Sequence, residues 1–162
     1  MVHTRVGVFL QPSVPMTNDR VQLSCSPTRI LLAEDDGDLR MLLALKLQDA
    51  GFEVTEARDG KDLLERLIDA APEDGCADPF DIILSDINMP HFNALDVMIG
   101  ARSRLTTTPI VLMTSFADAQ TREQAHRLGV SAVLAKPLRL DDVSATLLRI
   151  LNDSGRQPKE VH

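Results

Sequence analysis

Short apolar runs recur along this chain, most of them closing on a polar residue and each followed by a longer amphipathic segment. Ile30-Leu31-Leu32-Ala33 is the first, a continuous run of the kind found in strands buried on both faces, and it ends in Glu34-Asp35-Asp36. The spacing then predicts a helix near 37–50, with Asp36 as its N-cap and Gly51 as its C′ stop. Leu39, Leu42, Leu43 and Leu47 form its inward stripe. Phe52 to Ala57 reads as a second strand and Asp59-Gly60 as a turn. Leu64, Leu67, Ile68 and Ala71 give the next helix its apolar face. After a polar loop from Pro72 to Pro79, a third strand runs Asp81-Ile82-Ile83-Leu84-Ser85-Asp86. A loop through Met89-Pro90 leads to a helix near 94–104, and Pro109 to Thr114 makes a fourth strand. A polar helix over about 118–128 stops at Gly129, and Ala132-Val133-Leu134-Ala135 is the fifth strand, followed by Lys136-Pro137. The last helix, near 140–152, turns Val143, Leu147, Ile150 and Leu151 inward.

Strands alternating with helices predict an α/β fold: a doubly wound, five-stranded parallel sheet covered on both faces. The regular pattern starts at Arg29, so residues 29–152 read as one domain. Residues 1–28, with Pro12, Pro15 and Pro27 among polar residues, read as a flexible N-terminal extension, and 153–162 as a polar tail.

Composition narrows the function. The 162 residues are 44% hydrophobic, enough to fill a core, and carry a net charge of −7, which disfavours nucleic acid as the main partner. Trp and Tyr are absent, which removes the aromatic platforms of single-stranded nucleic-acid binders and any chemistry built on a phenol. Cys25 and Cys76 have no CxxC spacing and read as reduced thiols. No apolar run approaches the roughly 20 residues of a membrane span. A cytoplasmic protein with no membrane partner is the expectation.

Four of the five strands end in polar groups: Glu34-Asp35, Asp86, Thr114 and Lys136. Open α/β sheets bind ligands at the carboxyl ends of their strands, near the point where strand order reverses. Residues far apart in the chain therefore converge on one cleft. Taken singly, each has a plainer reading: an N-cap acid, a strand-end threonine, a surface lysine. Taken as an ordered set at successive strands, they describe a phosphoryl site. Glu34, Asp35 and Asp86 would repel one another, which a hard divalent cation such as Mg²⁺ relieves. Lys136 brings a positive charge, Thr114 a hydroxyl donor, and a carboxylate serves as nucleophile.

At Leu32-Ala33-Glu34-Asp35-Asp36, Leu84-Ser85-Asp86-Ile87-Asn88-Met89-Pro90, Met113-Thr114-Ser115 and Lys136-Pro137, the sequence resembles the receiver domains of bacterial two-component response regulators, over about Arg29 to Asn152. The resemblance implies a flavodoxin-like three-layer α/β/α fold with strand order 2-1-3-4-5. It implies that Asp86 accepts a phosphoryl group from a phosphohistidine on a sensor histidine kinase or phosphotransfer protein. Asp35 would be the principal Mg²⁺ carboxylate, with Glu34 acting largely through water and Asp86 and the backbone carbonyl of Asn88 completing the protein's ligands. Thr114 and Lys136 would hold the phosphoryl oxygens, and Lys136-Pro137 would be a cis peptide bond. Such a module signals by protein contact or onward transfer and is not itself an enzyme.

Three positions depart from the family pattern. Val133 stands where an aromatic residue is usual three before the lysine, Leu138 replaces a frequent Phe, and Asn93-Ala94 replaces a common Asp-Gly. Phe116, two beyond Thr114, is placed to shield a phosphoryl group from water. Met41 and Leu45 face away from the core on the first helix and could dock a partner's four-helix bundle. His91 reads as a solvated side chain, not a metal ligand. Two rival readings remain. A haloacid-dehalogenase-type phosphatase would want an acid where Asn88 stands, and its nucleophile on an earlier strand. A receiver-like module that is never phosphorylated would have no use for the intact acids and lysine.

Overall fold

The computed structural model describes residues 26–71, 78–101, 105 and 107–155. In chain order the elements are β1 (Arg29–Ala33), α1 (Gly37–Asp49), β2 (Glu53–Ala57), α2 (Gly60–Asp69), β3 (Ile82–Asp86), α3 (Ala94–Ala101), β4 (Ile110–Thr114), α4 (Ala119–Arg127), β5 (Ala132–Ala135) and α5 (Leu140–Asp153). All four strand pairings are parallel, and the sheet order is β2-β1-β3-β4-β5. Fold class and strand order match those expected. The Pro72–Pro79 loop lies largely outside the described residues, as do Cys25, Cys76 and most of both terminal segments.

Successive side chains of a strand point to opposite faces, so each apolar run feeds two cores at once. Ile30 and Leu32 of β1, with Ile82, Leu84, Val111 and Met113, pack under α1 and α5 through Leu43, Leu47, Val143, Leu147 and Leu151. Leu31 and Ala33, with Ile83 and Leu112, face the other way, against Leu63 and Leu67 of α2 and Leu95, Val97 and Met98 of α3. Each such buried leucine contributes about 1.5–3 kcal/mol relative to an exposed one. α4 differs: Ala125 is its only buried residue.

The helix ends follow their sequence signals. The Asp36 carboxylate caps α1 by accepting from the N–H groups of Asp38 and Leu39, both at 3.0 Å. Gly51, with φ of 90°, ends it. Asp59 belongs to a cap and not to a free turn: it accepts from Asp62 N–H at 2.8 Å, and Gly60 opens α2.

Two assignments of facing were wrong. Leu42 is 50% exposed and Ile68 is 48% exposed, although both were expected inside. In α1 the sheet takes the stripe through Leu43, Ala44 and Leu47, and a step of 100° per residue carries Leu42 round to the side of Met41 and Leu45. In α2 the covered line runs through Leu63 and Leu67, with Leu64 at its margin and Ile68 beyond it. The loop after β3 also solves its geometry differently from the family pattern. Positive φ falls on His91, at 73°, while Ala94 is already helical and needs no glycine freedom.

Gly60 is where α2 meets that loop. Its N–H donates to Pro90 O at 3.2 Å, and a β-carbon there would lie 2.1 Å from the Phe92 carbonyl oxygen. The obstacle is backbone, so it cannot swing aside. Gly60→Ala is expected to cost about 1–3 kcal/mol by overpacking, read by calorimetry as a Tm lower by roughly 2–12 °C. An unchanged Tm would show that the loop yields.

Candidate functional site

Parallel pairing brings the carboxyl ends of β1, β3, β4 and β5 to one edge of the sheet. The last pair between β1 and β3 is Ala33↔Ser85, so Glu34 and Asp86 each come one residue later, side by side. The next strand pairs Asp86 with Met113, and Thr114 is aligned with Ala135, just before Lys136. Strand order reverses between β1 and its neighbours β2 and β3, which makes this edge the crevice anticipated from the sequence.

Lys136 Nζ donates to Glu34 Oε2 at 2.9 Å and to Asp86 Oδ2 at 3.2 Å. The bridged carboxylates are both buried, and Lys136 is largely so. Asp35 is exposed at the rim, yet Glu34, Asp35 and Asp86 each present a carboxylate oxygen within 4.8 Å of the others. Three acids thus meet at a point where one ammonium group bonds two of them. That excess of negative charge on hard oxygen donors fits a small divalent cation such as Mg²⁺, which prefers a few carboxylates supplemented by water.

Electrostatics agree with the geometry. Burial pushes the Glu34 carboxyl above its ordinary range, with the hydrogen bond from Lys136 opposing and the charge of Asp86 reinforcing. Burial likewise raises Asp86, against the charge and hydrogen bond of Lys136 and a hydrogen bond from the Asn88 backbone N–H. For Lys136, burial pulls downward, but its bonds to Glu34 and Asp86 and their charges prevail, and its pKa is raised. The ammonium stays charged while both carboxylates hold their protons more readily than usual.

The structure therefore unites Glu34, Asp35, Asp86 and Lys136. Thr114 lies fully buried at the end of β4, its Oγ1 accepting from Phe116 N–H at 3.0 Å and not bonded to the acids. Asn88 is exposed two residues beyond Asp86, and Phe116 is 73% exposed. Lys136-Pro137 is cis, as the resemblance implied. Met41 and Leu45 do face solvent, together with Leu42. His91 is largely exposed, its ring 3.8 Å from the Asp59 carboxylate. Sequence reasoning passed over Arg40, whose Nη1 donates to the Glu34 backbone carbonyl at 2.7 Å. A signal was there: a base in the first turn of a helix opposes the macrodipole and is out of place unless something else holds it.

The profile of the response regulator receiver domain matches residues 30–148. Regulatory protein AtoC of Escherichia coli (strain K12) is 32% identical over 123 residues, which are 76% of this chain and 25% of AtoC. Transcriptional regulatory protein CrdR of Helicobacter pylori is 32% identical over 126 residues, 77% of this chain and 55% of CrdR. The chain thus spans about a quarter to a half of these curated relatives. Among solved structures, chemotaxis protein CheY4 of Vibrio cholerae superposes with a TM-score of 0.68 at 29% identity, covering 78% of this chain and 100% of that one. Among the described residues, no helix is long and apolar enough to cross a membrane.

The raised pKa of Asp86 has a measurable sign. Its carboxyl favours the fold when protonated; that contribution is complete below the unfolded-state pKa and is lost as pH rises through the raised folded value. Wherever Asp86 is ionised with no cation bound, its burial carries a cost that an asparagine avoids. Asp86→Asn in excess EDTA is expected to melt higher than wild type at neutral pH, read by calorimetry. The gap should close on acidification through the carboxylate range. A lower Tm for the variant at neutral pH would contradict the assignment.

Proposed function

Since the chain belongs to the family of response-regulator receiver domains, we propose that Asp86 is its phospho-acceptor and that Glu34, Asp35, Asp86 and the Asn88 carbonyl hold Mg²⁺. The observation that carries this reading is the meeting of three carboxylates and one lysine, from three strand ends, within a single crevice. When bound, the ion supplies positive charge that offsets repulsion between the acids and an incoming phosphoryl group.

The protein's own groups do the rest. An oxygen of Asp86 attacks phosphorus as the bond from phosphorus to the donor's histidine nitrogen breaks, and the imidazole departs with the electron pair. Lys136, already bonded to Asp86, is in place to compensate charge on the phosphoryl oxygens. Thr114 has its oxygen engaged by Phe116 N–H, which leaves its O–H to donate to a phosphoryl oxygen. A phosphatase of the haloacid-dehalogenase type lacks support here, because Asn88 cannot act as the second acid. We read the domain as a signalling module whose donor is a histidine kinase or phosphotransfer protein, docked on the exposed Met41 and Leu45 of α1. Its output passes through protein contact or onward transfer, without nucleic acid bound by this domain, in the cytoplasm.

Intact mass after incubation with acetyl phosphate tests the acceptor. A single phosphoryl adduct is expected with Mg²⁺, absent in Asp86→Asn and reduced at least tenfold in rate in Lys136→Ala, on the scale of a lost charge stabiliser. No wild-type adduct under these conditions would overturn the assignment. The docking surface has its own test. Leu45→Asp should slow transfer from the phosphorylated kinase about tenfold, the size of a 1.4 kcal/mol contact, and leave labelling by acetyl phosphate unchanged. Equal transfer by both proteins would remove Met41 and Leu45 from the interface.

A further inference from the structure

Arg40 is a base in the first turn of α1, beside the acidic loop yet not bonded to any carboxylate of the cluster. Its Nη1 donates to the backbone carbonyl of Glu34 at 2.7 Å, and its Nε donates to Glu56 Oε2 on β2 at 3.1 Å. The guanidinium is therefore held at one edge by β2 and bonds the end of β1 through the neighbouring nitrogen. Its side chain is only 21% exposed.

The Glu34 carbonyl matters because of what shares its plane. A peptide unit is rigid, so fixing the carbonyl of one residue fixes the N–H and α-carbon of the next. The next residue is Asp35. Glu34 is held by its remaining groups too: its N–H donates to Ala57 O at 3.1 Å, Oε1 accepts from Asp36 N–H at 3.2 Å, and Oε2 accepts from Lys136. Asp35, by contrast, is exposed, and among the described residues no hydrogen bond or ion pair holds its carboxylate, so its placement starts from its backbone. We propose that Arg40, anchored on Glu56, is a positioning residue for the metal site: by locking the peptide plane between Glu34 and Asp35 it aims the Asp35 carboxylate at Asp86. The role rests on the Mg²⁺ site proposed above. It is one of geometry: a planar fork serves two acceptors at fixed angles, which an ammonium on a flexible stem cannot reproduce.

Calorimetric titration of MgCl₂ into the full chain, wild type against Arg40→Ala and Arg40→Lys, tests it without any phosphoryl chemistry. Arg40→Ala is expected to bind Mg²⁺ about tenfold more weakly, the lower end of what loss of an outer-shell partner costs a metal site. Arg40→Lys should stay close to the alanine variant. Labelling by acetyl phosphate should slow at low Mg²⁺ and recover to near the wild-type rate at saturation. Wild-type affinity in Arg40→Ala, even with a lowered Tm, would reduce the residue to a structural contact and overturn the proposal. Full restoration by lysine would do the same, because charge alone would then suffice. A rate that fails to recover at saturating Mg²⁺ also overturns it. If the wild type itself binds no Mg²⁺, the metal-site reading falls first and this proposal with it.

Discussion

One ammonium group stands between two buried carboxylates, and the rest of the molecule is arranged around that fact. Lys136 reaches Glu34 and Asp86 across sequence separations of 102 and 50 residues. Neither acid is tolerable in its buried position without a counter-charge, since burial alone disfavours the ionised form. One lysine cannot neutralise two acids, and Asp35 at the rim adds a third. The crevice is left with a surplus of negative charge on hard oxygen donors, and that surplus suits a cation.

The sheet makes this concentration unavoidable. Every strand among the described residues is parallel to its neighbours, so whatever residue type ends a strand is delivered to the same edge. The two apolar cores hold the strands in register, and register places Glu34 beside Asp86. The surrounding loops are fixed by the chain's own backbone. The Glu34 carbonyl is bound by Arg40, and the loop after β3 leans on Gly60 through the Pro90 carbonyl. Both supports come from the N-terminal ends of helices that flank β1.

Much of this was legible in the sequence, and the part that was not has a physical explanation. Strands announced themselves because residues buried on both faces must be apolar throughout, as in Ile30 to Ala33 and Ile110 to Met113. The acids, threonine and lysine stood out because polar groups directly after such runs are conspicuous. Leu42 and Ile68 misled because α1 and α2 carry apolar residues on more than one side, and periodicity does not say which side the sheet takes. Arg40 and Gly60 escaped for another reason. Arg40 bonds the Glu34 carbonyl, Gly60 bonds the Pro90 carbonyl and leaves room for that of Phe92, and a carbonyl leaves no trace in residue type. Side-chain chemistry is written in the sequence, whereas backbone partners become visible only after folding.

The shallow seat of α4 gives the molecule a gradient of cohesion. α1 and α5 press leucines into a shared core, whereas α4 buries only Ala125. Its approach segment starts directly after Thr114, where the hydroxyl of that residue takes the Phe116 N–H. Segments with the least buried apolar area open at the smallest free energy, well below the cost of global unfolding. α4, the helix that follows Thr114 in the chain, buries the fewest residues of the five described helices, and so is the one that the fold holds least firmly.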